Sequence, residues 1–233
     1  MKVFAISDLH LSVNNPKPMD IFGPVWDGYL DKIFSEWKEK VSENDLVLLA
    51  GDFSWAMKLE EAIADFNLLK DLPGKKVLIR GNHDYWWNAI STLRKNLPPS
   101  FYAIQNDAIK FGNIVLCGTR GWQVLENNME RTPEDEKIFN REIIRLEMTL
   151  QAAQKMRNEN DKVFCMMHYP PMNALKEDSP FSLLLEKYKV DKVIYGHLHG
   201  LKNVETYFIK NGIEYYLTSC DVVNNSLVFI DEV

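Results

Sequence analysis

Cysteine is scarce: three residues, Cys117, Cys165 and Cys220, stand in a chain of 233. They are odd in number, far apart and never spaced Cys-x-x-Cys. That excludes a disulfide framework, speaks against a thiolate zinc knuckle and suits a reducing compartment. Basic charge is also short, with 27 Lys and Arg against 33 Asp and Glu and a net charge of −6. A diffuse basic surface for nucleic acid or anionic membrane is therefore not expected, and only a local basic patch stays open. No apolar run approaches the roughly 20 residues of a membrane span. The first strand-like run begins at Lys2-Val3, which leaves no room for a secretory leader, so the expected location is cytoplasmic. Repeats and low-complexity segments are missing as well. The rest is ordinary for a globular protein, with 46% hydrophobic and 26% charged residues. The length fits one domain over 1–233 with a full core of its own.

The apolar pattern alternates through the first half. Val3 to Ile6, Leu46 to Ala50 and Val77 to Ile79 read as buried strands. Between them, Leu30, Ile33, Phe34, Trp37 and Val41 share one helical face, and so do Leu59, Ile63, Phe66 and Leu69. A short helix is expected from Ala89 to Leu97. Strand-helix-strand repetition implies a parallel sheet with helices packed on it. Ala108 to Phe111 and Ile114 to Cys117 flank Gly112-Asn113 and read as a hairpin. Thr132-Pro133-Glu134-Asp135 predicts an N-cap with proline at the first helical position. The helix it opens runs to about Asn158, with Ile138, Ile143, Leu146, Leu150, Ala153 and Met156 on one face. Gln123 to Thr132 reads as the loop before it. Strands follow at Val163 to Met167 and Val193 to Tyr195, around a short helix at Ser182 to Tyr188. Glu205 to Lys210, Glu214 to Leu217 and Leu227 to Ile230 crowd together with no helix between, which favours antiparallel pairing. The fold class is α/β, with two mixed sheets packed face to face and helices outside.

The chain has five histidines, each just past the end of an apolar run. His10 lies in Asp8-Leu9-His10, His83 in Gly81-Asn82-His83-Asp84, and His168 follows Met167. His197 and His199 lie in Gly196-His197-Leu198-His199. Gly51-Asp52 follows the second strand in the same way. In open α/β sheets the carboxyl ends of the strands form the ligand crevice, so these groups are delivered to one edge. Carboxylates, imidazoles and an amide oxygen make a mixed oxygen and nitrogen set, suited to Mn, Fe, Zn or Co. Asp8, His10, Asp52, Asn82, His168, His197 and His199 are too many ligands for one ion. Two divalent ions bridged by a carboxylate would use them all. Taken singly, Asp-x-His or Gly-Asp is common turn composition. In this order, with no histidine left over as background, the pieces resist a purely structural explanation.

The set resembles the calcineurin-like metallophosphoesterase superfamily, whose signature runs Asp-x-His, Gly-Asp, Gly-Asn-His-Asp/Glu, His, Gly-His-x-His. All five blocks are present from Asp8 to His199. The resemblance implies an αββα sandwich and a metal-dependent phosphoric ester hydrolase; a stand-alone phosphodiesterase or phosphomonoesterase on a small molecule is the leading form. It implies one ion held by Asp8, His10, Asp52 and His199, and another by Asp52, Asn82, His168 and His197, with Asp52 bridging. It gives His83, outside both ligand sets, the role of protonating the leaving alkoxide or stabilising its charge. Protein Ser/Thr phosphatases follow Gly-Asp with Val-Asp-Arg-Gly. Here Trp55 stands where that Asp would be, which speaks against a protein phosphatase and leaves the partner that orients His83 open. A single-strand nuclease and a non-catalytic scaffold of the same fold are the alternatives. The charge balance disfavours the first, and the complete ligand set disfavours the second.

Asn82 and Arg120 are the candidates for contacting substrate, Arg120 because a guanidinium offers a bidentate fork to phosphate oxygens. Arg80 is a weaker candidate that could instead pair a carboxylate. Asp84 is expected to support the site from outside, for instance by holding a ligand histidine. Phe22, Trp26, Trp55, Tyr85, Trp86, Trp87, Trp122 and Tyr169 gather near the motifs. They could wall a pocket for a flat or apolar group, or simply pack the loops from beneath.

Overall fold

The computed structural model describes residues 1–14, 16–126 and 129–233. Part of the loop expected over Gln123 to Thr132 thus lies outside the described residues. Two sheets stack face to face. The first has the order β11-β1-β2-β3-β4, from β1 (Lys2–Ile6), β2 (Leu46–Leu49), β3 (Lys75–Leu78), β4 (Phe101–Ala103) and β11 (Val228–Glu232). β1 to β4 are parallel and β11 closes the edge antiparallel to β1. The second has the order β5-β6-β7-β8-β10-β9, from β5 (Ala108–Phe111), β6 (Ile114–Thr119), β7 (Lys162–Met167), β8 (Lys192–Tyr195), β9 (Tyr207–Lys210) and β10 (Ile213–Leu217). Its four central strands are parallel and both edge strands antiparallel.

Strand periodicity splits the core into three layers. Val3 and Ala5, Leu46 and Leu48, Leu116, Phe164 and Met166 face inward between the sheets. Phe4, Ile6, Val47 and Leu49 face outward under α1 (Tyr29–Lys40), α2 (Leu59–Leu69) and α3 (Ile90–Asn96). Val163, Cys165 and Met167 face the other way, under α4 (Pro133–Met156) and α5 (Pro180–Lys187). The result is the αββα sandwich. Among the described residues no helix is long and apolar enough to cross a membrane.

Three details differ from the sequence reading. β4 is a three-residue strand directly after Pro98-Pro99, too short to show a period. β11 crosses to the first sheet, whereas β9 and β10 form a hairpin in the second. The buried stripe of α4 is Phe139, Glu142, Leu146, Thr149, Leu150 and Ala153, and Met156 is exposed. Two polar side chains occupy that stripe because they bind the end of β6: Thr149 accepts the Gly118 N–H at 3.0 Å, and Glu142 accepts the Thr119 hydroxyl at 2.9 Å. The predicted cap does form, with Thr132 Oγ1 accepting the Asp135 N–H at 3.1 Å.

Candidate metal centre

The loops after β1, β2, β3, β7 and β8 meet at one edge of the sandwich. Asp8, His10, Asp52 and His197 all adopt left-handed backbone, with φ of 61°, 48°, 50° and 72°. Each such residue costs roughly 1 kcal/mol or more, a strain the surrounding loops must hold. They are held by each other. Asp8 N–H donates to Gly51 O at 3.0 Å and His10 N–H to Asp52 O at 3.1 Å. His197 N–H donates to Asp8 Oδ2 at 3.0 Å. Glycine serves close approach here. A Cβ on Gly81 would collide with Asp52 Oδ1, and one on Gly196 would collide with Asp8 Oδ2.

The seven sequence-predicted ligands converge. Asn82 Oδ1 lies 2.6 Å from His168 Nε2 and 2.9 Å from His197 Nδ1. Asp52 Oδ2 lies 3.4 Å from His168 Nε2 and 3.9 Å from His10 Nε2. His199 Nε2 lies 3.3 Å from both His10 Nε2 and Asp8 Oδ1. Two compact donor groups result, Asp8-His10-His199 and Asp8-Asp52-His168. Asp8 belongs to both, and Asp52 Oδ2 faces histidines of both.

Three neutral rings and an ionised Asp8 are ready to bind a cation, whereas Asp52 and His199 hold protons that a cation would displace. Burial pushes His10 and His168 down to about 3 and His197 to about 4, so these rings are neutral. Burial would raise the Asp8 carboxyl, but the His199 hydrogen bond and the nearby histidines hold it well below the usual carboxylate range. Burial, then Asp84 and Asp8, push Asp52 up. Burial would lower His199, yet hydrogen bonds to Asp221 and Asp8 take it up to about 10. His168 supplies the sharpest test of fit. Its Nδ1 lies 3.1 Å from the Ala50 carbonyl, which can only accept, so the proton sits on Nδ1. The Nε2 lone pair then faces the Asn82 oxygen, and burial denies the ring a second proton. Opposed lone pairs and crowded carboxylates are what a shared cation reconciles, and a histidine braced through its other nitrogen is the usual ligand arrangement. The residues fit divalent metal.

Around them the structure assigns parts that the sequence left open. Asp84 is fully buried and accepts the N–H groups of Phe53 (2.9 Å), Ser54 (3.1 Å) and Gly81 (2.7 Å) and the indole of Trp86 (3.0 Å). It staples the Asp52 and Asn82 loops together and holds no histidine. His83 donates its N–H to Asp52 Oδ1 at 2.8 Å. Its ring packs on Trp55, with centroids 4.4 Å apart, and Trp55 also stacks on His10 at 4.7 Å. The ring nitrogen Nδ1 is buried without a hydrogen-bond partner, so packing rather than a carboxylate orients this ring. The aromatics divide. Trp86 and Trp87 are buried in the core, Trp26 lies against His10 and His199, Tyr169 covers His197 at 4.0 Å, and Phe22 and Tyr85 are exposed. The Arg120 guanidinium lies 3.4 Å from Glu142 and over the Trp122 ring. Sequence reasoning misses Asp221. Its carboxylate lies 2.9 Å from His199 Nδ1 and accepts the Gly200 N–H at 2.8 Å. It follows β10 without any motif, so only the fold reveals it.

Comparison with known proteins agrees with this geometry. The chain is 27% identical over 165 residues to a "Probable cyclic nucleotide phosphodiesterase" of Vesicomyosocius okutanii subsp. Calyptogena okutanii (strain HA). The match covers 66% of this chain and 62% of that protein, so less than two thirds of the relative is spanned. Among solved structures, TT1561 of Thermus thermophilus superposes with a TM-score of 0.61 at 12% identity, covering 98% of this chain and 97% of that one. AQ665 of Aquifex aeolicus, a protein of unknown function, superposes with a TM-score of 0.50 at 16% identity, covering 98% and 95%. These two establish likeness of fold alone. The family model described as calcineurin-like phosphoesterase matches residues 1–201, which hold β1 to β8 and every predicted ligand, and the chain belongs to that family.

Proposed function

We propose that the chain is a dinuclear metal-dependent phosphodiesterase for a small-molecule ester. Asp8, His10, Asp52 and His199 would hold one ion and Asp52, Asn82, His168 and His197 the other. The observation that carries this reading is the convergence of seven nitrogen and oxygen donors, with Asp52 Oδ2 facing histidines of both groups. Two ions held by these residues would supply a water of lowered pKa and neutralise phosphoryl oxygens. The chain does the rest. The Ala50 carbonyl and Asp221 fix the tautomers of His168 and His199, Asp84 fixes the spacing of the two ligand loops, and His83 stands beside Asp52 to deliver a proton to the leaving oxygen.

A diester needs room for its organic arm. A cavity of about 500 Å3 opens at His197, walled by Tyr169, Pro170, Met172, Leu198, Val204 and Phe208. That volume falls within the roughly 300–1,000 Å3 of sites that enclose small organic ligands. The relative named as a cyclic nucleotide phosphodiesterase supports the same choice. The expected outcome is close to two transition-metal ions per chain on elemental analysis after reconstitution with Mn, Fe, Zn or Co. Hydrolysis of small phosphodiesters should be lost on chelation. A stoichiometry of one or less with activity intact overturns the two-ion reading. A panel in which every diester is inert and monoesters turn over overturns the diesterase.

A further inference from the structure

A second cavity, of about 130 Å3, lies at the same edge of the sandwich but includes none of the seven ligands. Arg80 reaches it from the end of β3, Arg120 from the end of β6 and Arg145 from α4, with Gln105, Trp87 and Glu142 completing the wall. Three guanidiniums thus meet one carboxylate. Glu142 is fully buried and its oxygens are already used. Oε1 accepts Arg145 at 2.7 Å and Arg120 at 3.4 Å, while Oε2 accepts the Thr119 hydroxyl at 2.9 Å. The nearby Asp107 is taken by Arg94 at 2.6 Å. The wall therefore carries an excess of two positive charges.

The donors are as telling as the charge. The Nε groups of Arg80 and Arg120 are both buried without a hydrogen-bond partner, and Arg80 has no ion pair among the described residues. Gln105 Oε1 accepts the Trp87 indole at 2.6 Å, which leaves the Gln105 amide as a further donor. Buried guanidinium donors with nothing to bind, next to uncompensated like charge, are costly to keep. An oxyanion answers both costs at once, because planar forks bind tetrahedral oxygens in pairs. The volume lies below the roughly 300 Å3 at which organic-ligand sites begin, so it suits a group of phosphate size.

We infer that this cavity is a second anion site, separate from the metal centre, that binds a phosphate-type oxyanion through Arg80, Arg120 and Arg145. The site is tied to the metal ligands by backbone. Arg80 stands two residues before Asn82, and the Arg120 carbonyl accepts the N–H groups of His168 at 3.1 Å and Tyr169 at 2.9 Å. The anion is either free phosphate or a second phosphate on an ester whose first phosphate lies at the metals.

Inorganic phosphate is the probe, titrated calorimetrically into metal-loaded protein. Wild type is expected to take two phosphates per chain. Arg80→Gln and Arg145→Gln should each keep the metals and lose one phosphate, with roughly tenfold or greater weakening, the size of a lost charge-assisted hydrogen bond. Asp52→Asn should lose the other phosphate and keep this one. Arg145 is partly exposed on α4, so its variant tests the site even where Arg80→Gln fails to fold. Two folded arginine variants that bind phosphate as wild type does overturn the inference. A comparison of kcat/KM on mono- and bisphosphorylated esters assigns the source. Loss in Arg80→Gln confined to the bisphosphate identifies a second substrate phosphate, and equal loss on both identifies the free anion.

Discussion

His83 is held unusually. Its N–H is bound to the carboxylate expected to bridge the ions, its ring is wedged on Trp55, and no acidic side chain touches its buried Nδ1. Burial and Lys17 both lower its pKa, which makes its protonated form a stronger acid. A proton donor of this kind matters most when the departing oxygen is strongly basic. His83→Ala should keep the metals, because the ring is in neither donor group, and lose about 10²–10⁴ in activity. The loss should grow with leaving-group pKa, being small for aryl esters and large for alkyl or ribosyl esters. The measurement is kcat/KM for wild type and variant across such a series, read as free energies. A flat loss would mean that His83 binds phosphate oxygens instead, and loss of metal would place it among the ligands.

At the scale of elements, β3 carries a buried charge that weakens it. Lys76 is fully buried and donates to the Leu72 carbonyl and to Ser100, and burial pushes its amine down to about 8 from 10.5. Between those values the unfolded chain binds more protons than the folded one, so this group makes stability rise with pH. Lys76→Met should therefore be more stable than wild type at pH 7.5, by roughly 3 kcal/mol at most for a shift of this size. The advantage should shrink as pH climbs towards 10. Urea midpoints of both proteins, metal-loaded, check it; the difference cancels every other titrating group, and a pH-independent difference would refute the account. The same strand shows what the sequence makes legible. Val77 and Leu78 announce β3 by hydrophobicity, and Gly81-Asn82-His83 announces the site by the density of rare polar types at a strand end. Every candidate ligand could be placed at the shared edge this way. Asp221, Trp55 and Ala50 could not, because what they do depends on which strand lies beside which. β11 escaped for a related reason: an edge strand with exposed Phe229 does not encode its partner locally. Glu142 and Thr149 look like interruptions of the apolar face of α4 until β6 supplies their partners.

For the whole molecule, the candidate ligands are divided between the sheets. Asp8, His10, Asp52 and Asn82 extend from β1, β2 and β3, and His168, His197 and His199 extend from β7 and β8. The sheets are also joined at this edge by polar contacts of their own, among them Ser7 N–H to the Thr218 carbonyl at 2.8 Å and His197 N–H to Asp8. The inter-sheet apolar layer lies deeper. Ions shared by ligands from both sheets would act as a clamp on the folded state, since the unfolded chain cannot assemble such a set. At metal a thousandfold above Kd that linkage contributes about 4 kcal/mol. For a chain of this length the melting temperature should then fall on the order of 10 °C on chelation. Asp52→Asn should show a smaller response to metal than wild type, because the residue facing both donor groups is weakened, while His83→Ala should respond fully. Calorimetric scans with and without chelator check all three proteins. A melting temperature that ignores chelation while activity disappears would mean that the ions add no measurable stability to the folded state, and the clamp would have to be given up.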